Sequence, residues 1–88
     1  MITHVAIKTR DKKVWSLPKP NRHGHVIHEI HYNEGWTEAK WLLSEHTQGF
    51  LNDNGEFLTR EEALCEAKEC NQIIRRTHPK DLYSEDLW

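Results

Sequence analysis

The sequence predicts a small α+β domain in which two or three helices pack on a small antiparallel sheet made from two hairpins. Two pairs of short segments rich in β-branched and aromatic residues are each separated by polar turn residues, and the segments beside them carry apolar residues at helical spacing. A chain of 88 residues has room for one core. We therefore expect a single domain over residues 1–88, with residues 77–88 as a docking C-terminal tail.

The first hairpin is predicted over residues 3–17. Its arms read THVAIKT and KVWSL, and the turn between them, residues 10–13, is polar. Pro18 and Pro20 follow directly, and because proline lacks an N–H group they end the strand pairing.

Two helices are predicted next. Asn21 is a suitable N-cap for a helix over residues 22–32, and Gly35 is typical of the position just after a helix. The apolar stripe of this helix consists of Val26, Ile27 and Ile30. A second, short helix is predicted to begin at Thr37 and to run through Trp41 and Leu43.

The segment QGFLNDNGEFLT predicts a second hairpin, because Asn54-Gly55 favours a type I′ turn with positive φ at both central residues. Thr59 and Glu62 then form a capping box that begins the last helix. The predicted buried stripe of this helix is Ala63, Leu64, Ala67, Cys70 and Ile74. The apolar tail residues predicted to dock, on the same subunit or on a neighbour, are Leu82, Tyr83, Leu87 and Trp88.

Composition narrows the class of protein. Hydrophobic residues make up 36% of the chain and charged residues 30%, with a mean hydropathy of −0.85. The chain has no long apolar run, so we expect no membrane span, no signal peptide and a cytoplasmic location. Cys65 and Cys70 lie roughly 140° apart on the predicted helix, which favours ordinary thiols in a reducing compartment.

Charge is distributed unevenly along the chain. Residues 1–44 hold seven Lys or Arg against four Asp or Glu, a balance of +3, whereas residues 45–88 hold five against ten, a balance of −5. The sequence pI of about 6.4 is well below the value of about 9 that is typical of proteins that bind long nucleic acid. The basic half therefore favours a small phosphate-bearing ligand.

Four of the seven histidines lie between residues 23 and 31. On the predicted helix, the face opposite the apolar stripe carries His25, His28, His31 and Tyr32. Lys19, Arg22 and His23 surround the first turn, where backbone N–H groups lack partners within the helix. Cations beside such N–H groups are the ingredients of a phosphate-binding site.

Two neighbouring imidazoles can act as general base and general acid, because an ordinary histidine is partly protonated near neutral pH. The residues alone therefore favour a site that handles a phosphate or a nucleotide, and they leave open whether the site cleaves a phosphodiester without a metal or only binds the ligand. Its candidate catalytic residues are His23, His28 and His25. Its candidate substrate-binding residues are Lys19, Arg22, Arg60 and Tyr32.

Three other interpretations stay open. The histidines can form a solvated helix face, with His23 as a satisfied polar residue packed under the hairpin. His25, His28 and His31 could hold a metal, although the HExxH motif is absent. Trp36 and Trp41 could stack on a base, although core packing explains them as well. The sequence has no Walker loop, GxGxxG motif or nucleophile elbow, so we expect no cofactor.

Three blocks, VWSLPKPNRHGHVIH, GFLNDNGEFLTREEA and LYSEDLW, carry a resemblance. They resemble a group of small tailed-phage proteins with SLPKPxRH, GFxxxxGxFxxRxEA and LYSEDLW blocks, and the likeness covers most of residues 14–88. The resemblance implies a counter-defence protein in the host cytoplasm that cleaves or sequesters a nucleotide immune signal, such as a cyclic dinucleotide made by CBASS systems.

The resemblance also implies site residues. The blocks match Pro20, Arg22, His23 and Arg60. Relatives carry a second histidine where this chain has Gly24, so the second imidazole must come from His25 or His28. With the resemblance, we predict a metal-independent phosphodiesterase that cleaves a cyclic oligonucleotide signal. The alternatives are a non-enzymatic sponge for the same signal and a direct inhibitor of a host defence complex, for example CRISPR. A pocket on one small chain covers only part of a dinucleotide, which predicts a homo-oligomer.

Overall fold

The computed structural model describes residues 1–10, 12–35, 45–75 and 79–88. These residues form a four-stranded antiparallel sheet and two α-helices, which confirms the predicted α+β class. The strands are β1 (Ile2–Thr9), β2 (Val14–Pro18), β3 (His46–Asn52) and β4 (Phe57–Thr59). The helices are α1 (His23–Glu34) and α2 (Arg60–Glu69), and a 3₁₀ turn, Ser84–Asp86, lies in the tail. The short helix predicted from Thr37 lies outside the described residues.

Strand β1 lies in the interior of the sheet, whose order is β2-β1-β3-β4. Val5 stands opposite Leu17 on one side and Phe50 on the other, so these three side chains share one face. The turn of the first hairpin is closed by the Thr9 amide, which donates to the Lys13 carbonyl oxygen at 3.0 Å. Strands β3 and β4 also pair antiparallel, so both predicted hairpins are present.

The core lies on the face of the sheet that both helices cover. Its members come from β1, β3, α1, α2 and the tail. They are Ile2, Val5, Ile7, Val26, Ile30, Phe50, Ala63, Leu64, Ala67, Leu82 and Leu87. Two tail residues are thus part of the same cluster as the sheet, which joins the C-terminal end of the chain to the fold.

The start of α1 differs from the prediction. The N-cap is Arg22, with extended backbone at φ −113° and ψ 165°, rather than Asn21. The Asn21 side chain instead donates from Nδ2 to the Pro18 carbonyl oxygen at 2.7 Å, so it serves the turn that precedes the helix. The helix continues to Glu34, two residues beyond its predicted end, and Gly35 takes the left-handed conformation just after it, at φ 64°.

The predicted type I′ turn at Asn54-Gly55 is wrong. Gly55 has φ 76°, but Asn54 does not take positive φ. The Asn52 side chain is the reason, because its Oδ1 accepts from the Asn54 amide at 3.0 Å and from the Glu56 amide at 2.9 Å. This local bond holds a longer loop than the dipeptide alone predicts.

The capping box of α2 is confirmed. Thr59 Oγ1 accepts from the Glu62 amide at 3.2 Å, and the Glu62 carboxylate accepts from the Thr59 amide at 3.0 Å, which lowers the pKa of Glu62. The predicted buried stripe is too long, because Cys70 and Ile74 are exposed. The helix ends at Glu69, before both residues, so neither shares its buried face.

Candidate functional site

His23 is the first residue of α1, and its imidazole is buried against β3. Its Nε2 lies 2.7 Å from the Gly49 carbonyl oxygen. A carbonyl oxygen only accepts, so Nε2 carries the proton and donates. The ring meets Phe50 edge-on, with centroids 5.0 Å apart and planes at 85°. These two contacts fix the start of the helix to the sheet.

Burial lowers the pKa of His23 from the ordinary 6.5 to about 4. Desolvation is the largest cause, since it penalises the charged ring. The positive charge of Arg60 lowers the pKa further, while the bond to Gly49 and the charge of Glu85 raise it. The imidazole is therefore neutral at pH 7.

Gly49 accepts this bond from a crowded position in β3. A Cβ at this residue would overlap the carbonyl oxygen of Leu58 and come within 2.8 Å of Cζ in the Phe57 ring. Strand β4 thus approaches the backbone of β3 in a way that leaves no room for a side chain. Glycine here allows both the close strand pairing and the carbonyl position that His23 uses.

Arg22 carries the least satisfied polar group at this end of α1. Its side chain is half-buried, and its Nη1 atom is buried with no hydrogen-bond partner among the described residues. Its backbone amide donates to His25 Nδ1 at 2.9 Å, so the His25 ring closes the helix start. A buried guanidinium N–H without an acceptor is costly, and an anion beside it would remove that cost.

Arg60 is committed to holding the tail. Its Nη1 donates to the Leu82 carbonyl oxygen at 2.8 Å, and its Nη2 donates to Gln48 Oε1 at 2.6 Å. The guanidinium also lies 4.3 Å from the centroid of the Tyr83 ring. Burial lowers the pKa of Arg60, although arginine stays charged at any ordinary pH. Arg60 therefore links α2, β3 and the tail.

The tail packs on both helix starts. The Leu82 amide donates to the Arg60 carbonyl oxygen at 3.1 Å, and Trp88 Nε1 donates to the Asn21 carbonyl oxygen at 2.9 Å. Asp86 is buried, and its Oδ2 accepts from the Tyr83 amide at 2.9 Å. The tail thus spans from the start of α2 to the residues just before α1.

The structure brings some of the predicted site residues together and leaves others apart. His23 and Arg60 both contact β3, and the charge of Arg60 acts on His23, while Arg22 directly precedes His23 in the chain. The remaining predicted residues, Lys19, His25, His28 and Tyr32, are exposed. His28, one of the two candidates for the second imidazole, lies five positions after His23 and roughly 140° around the helix, so these two rings face different sides of α1.

The described ranges contain no group of three or more His, Cys, Asp or Glu side chains placed to hold a metal ion. Nor does any helix in those ranges have the length and apolar character needed to cross a membrane. Cys65 and Cys70 are exposed free thiols.

A comparison with protein families decides the origin of the chain. The family model described as Phage T4 y16D protein matches residues 1–88. The chain belongs to this phage family. Searches of curated proteins and of solved structures each found no match.

Some contacts at the candidate site of this y16D-family protein could not be predicted from its sequence. Gly49 carried one signal, since an isolated glycine inside a strand pattern indicates close backbone approach. Gln48 carried none. The bond from Trp88 to Asn21 gave none, because its partners are 67 positions apart along the chain. Arg60 was predicted as a phosphate ligand from the resemblance, whereas its donors here serve Leu82 and Gln48.

Proposed function

We propose that this y16D-family protein is a phage counter-defence protein that captures a nucleotide immune signal by a phosphate group at the start of α1. The observation that carries the proposal is Arg22, whose buried Nη1 has no acceptor in the described part of the chain. A phosphate oxygen would supply a charge-assisted acceptor. Exposed Lys19 adds a second cation nearby in sequence.

The helix start favours the same class of ligand. The first backbone N–H groups of a helix have no partners within it and carry partial positive charge. Apart from its chain neighbours and the backbone of its own helix, Gly24 has no heavy atom within 4 Å of where its Cβ would stand, so a ligand can approach the backbone there. Guanidinium, ammonium and backbone N–H groups together suit a phosphate better than a carboxylate, because a phosphate offers more acceptor oxygens.

Capture fits the geometry better than cleavage. A general acid and a general base must both reach the reacting phosphate. His23 instead donates to Gly49 from a buried position, and its pKa of about 4 leaves it uncharged at pH 7. His28 is exposed on another side of α1. Among the described residues, His23 and His28 therefore do not form a paired acid and base, whereas Arg22 and Lys19 still offer cations to a phosphate.

The proposed ligand is a cyclic oligonucleotide signal, in keeping with the resemblance of the SLPKPNRH block to counter-defence proteins. A surface formed by one helix start covers only part of such a ligand, so we further propose that two or more copies of the chain bind it together. Sedimentation of the protein with and without a bound cyclic dinucleotide tests that association.

One experiment separates the candidate activities. The protein is incubated with a panel of cyclic and linear nucleotides, freed of unbound ligand, heated and chromatographed. Release of intact nucleotide supports capture. Release of a linear product that forms equally well in EDTA supports a metal-independent phosphodiesterase instead. Absence of any retained nucleotide, together with a stable complex with a host defence protein, supports the direct inhibitor.

A further inference from the structure

A polar pocket lies at one end of the β1–β3 strand pair. It has a volume of about 260 Å³ and is lined by Lys8, Thr9, Arg10, Glu45, His46 and Thr47. The strand register explains this grouping, since Lys8 stands opposite Thr47 and Thr9 stands opposite His46. The pocket thus forms where β1 ends and β3 begins.

Among the described residues, neither cation of this pocket has an ion-pair partner. In the described ranges, Lys8 Nζ makes no hydrogen bond or ion pair, and its one contact of note is with the Phe57 ring, 5.8 Å from the centroid. Arg10 likewise has no hydrogen-bond or ion-pair partner there. Glu45 also lines the pocket but forms no ion pair with either cation. The charged side chains that line the pocket, Lys8, Arg10 and Glu45, therefore leave a net positive charge within the described part of the chain.

The backbone that carries these cations is held in place. Thr9 is buried, and its Oγ1 donates to the Lys13 carbonyl oxygen at 3.2 Å. The Lys12 amide donates to the Thr9 carbonyl oxygen at 2.9 Å, which closes the same turn. Lys8 lies within β1, which pairs on both sides. Because this backbone is already ordered, ligand binding here costs little further conformational entropy.

We propose that this pocket is a second anion site that takes one phosphate group, either inorganic phosphate or the terminal phosphate of a small phosphomonoester. Its volume falls below the range of about 300–1,000 Å³ that holds drug-sized ligands, so a single group fits better than a whole dinucleotide. Ammonium and guanidinium groups are the usual phosphate partners. The site shares no residue with the start of α1 and does not depend on the proposed function.

Titration with inorganic phosphate at constant ionic strength, followed by the amide NMR signals of Thr47 and His46, tests this site. Lys8→Gln and Arg10→Gln should each weaken phosphate binding about tenfold, because each removes one charge-assisted contact. Glu45→Gln should strengthen binding several-fold, because it removes a like charge from the pocket. Lys12→Gln is the matched control, since it removes a charge from the same turn outside the lining, and it should change affinity by less than about twofold.

The titration is repeated with glycerol phosphate. Tighter binding of the ester identifies a terminal phosphate as the ligand, and tighter binding of the free ion identifies inorganic phosphate. The amide spectrum of each variant shows that the sheet is folded before titration. Absence of saturable shifts at Thr47 and His46 would overturn the site. Equal weakening by Lys12→Gln and Lys8→Gln would also overturn it, because diffuse surface charge would then explain the binding.

Discussion

The His23 imidazole and the Gly49 carbonyl oxygen, 26 positions apart in the chain, form a 2.7 Å hydrogen bond that joins the start of α1 to β3. We predict that His23→Ala lowers the free energy of unfolding by about 2–3 kcal/mol, because it removes a buried donor and the ring that packs on Phe50. Urea denaturation measures the change. His28→Ala, at an exposed position, should stay within about 0.5 kcal/mol. Equal losses in the two variants would refute the structural role of His23.

The lowered pKa of His23 predicts a pH dependence of stability. The folded state holds the pKa near 4, whereas an unfolded chain has the ordinary 6.5, so the unfolded state binds the proton first as pH falls. Above pH 6.5 the neutral His23 ring makes its full contribution to the free energy of unfolding. As the pH falls from 6.5 to about 4, up to about 3 kcal/mol of that free energy is lost progressively. His23→Gln keeps a donor but does not titrate, so its stability should fall less steeply over that interval. Parallel stability curves for the two proteins would contradict the burial of this ring.

Gly49 predicts a steric effect with a matched control. Gly49→Ala should destabilise the protein by roughly 3 kcal/mol, because the added methyl group collides with the Leu58 carbonyl oxygen and the Phe57 ring. Gly24→Ala places the same group in open space within a helix, and it should stabilise the protein by up to about 1 kcal/mol. Thermal unfolding of both variants measures the contrast. A neutral Gly49→Ala would show that β4 does not approach β3 so closely.

Arg60 predicts a loosened tail when it is replaced. Arg60→Gln should cost about 2 kcal/mol and should speed hydrogen exchange of the Leu82 amide, because that amide bonds to the Arg60 backbone and its carbonyl oxygen accepts from the Arg60 guanidinium. Arg75→Gln removes an exposed arginine and should leave that exchange rate unchanged. Unaltered protection of Leu82 in Arg60→Gln would mean that the tail does not depend on this side chain.

Local patterns predicted the elements better than the contacts between them. The capping box of Thr59 and Glu62 could be predicted because both partners lie in one turn of chain. The prediction of a type I′ turn at Asn54-Gly55 was wrong because the Asn52 side chain accepts hydrogen bonds from the backbone amides of this loop. The predicted N-cap of α1 was wrong by one residue for a similar reason, since the Asn21 side chain bonds to the Pro18 carbonyl oxygen instead of capping the helix.

The candidate site was only partly predictable. Arg22, His23 and Arg60 were singled out from sequence, and the structure shows His23 and Arg60 close enough for the charge of Arg60 to act on the His23 imidazole. Their partners could not be predicted, because Gly49 and Leu82 are distant in the chain and both contribute backbone oxygens, which any residue type carries. For the same reason, composition and helical spacing could not show that His23 is buried while His28 is exposed.

The most direct test of nucleotide capture is calorimetric titration of the cyclic dinucleotide that gives the largest thermal shift in a nucleotide panel. Arg22→Gln should weaken the binding of this dinucleotide at least about tenfold, because the substitution removes the buried guanidinium that is proposed to contact the phosphate. Arg75→Gln, which removes the same charge from an exposed position outside the proposed site, should change the affinity by less than about twofold. Binding that is equally tight in wild-type protein and in Arg22→Gln would contradict nucleotide capture by Arg22.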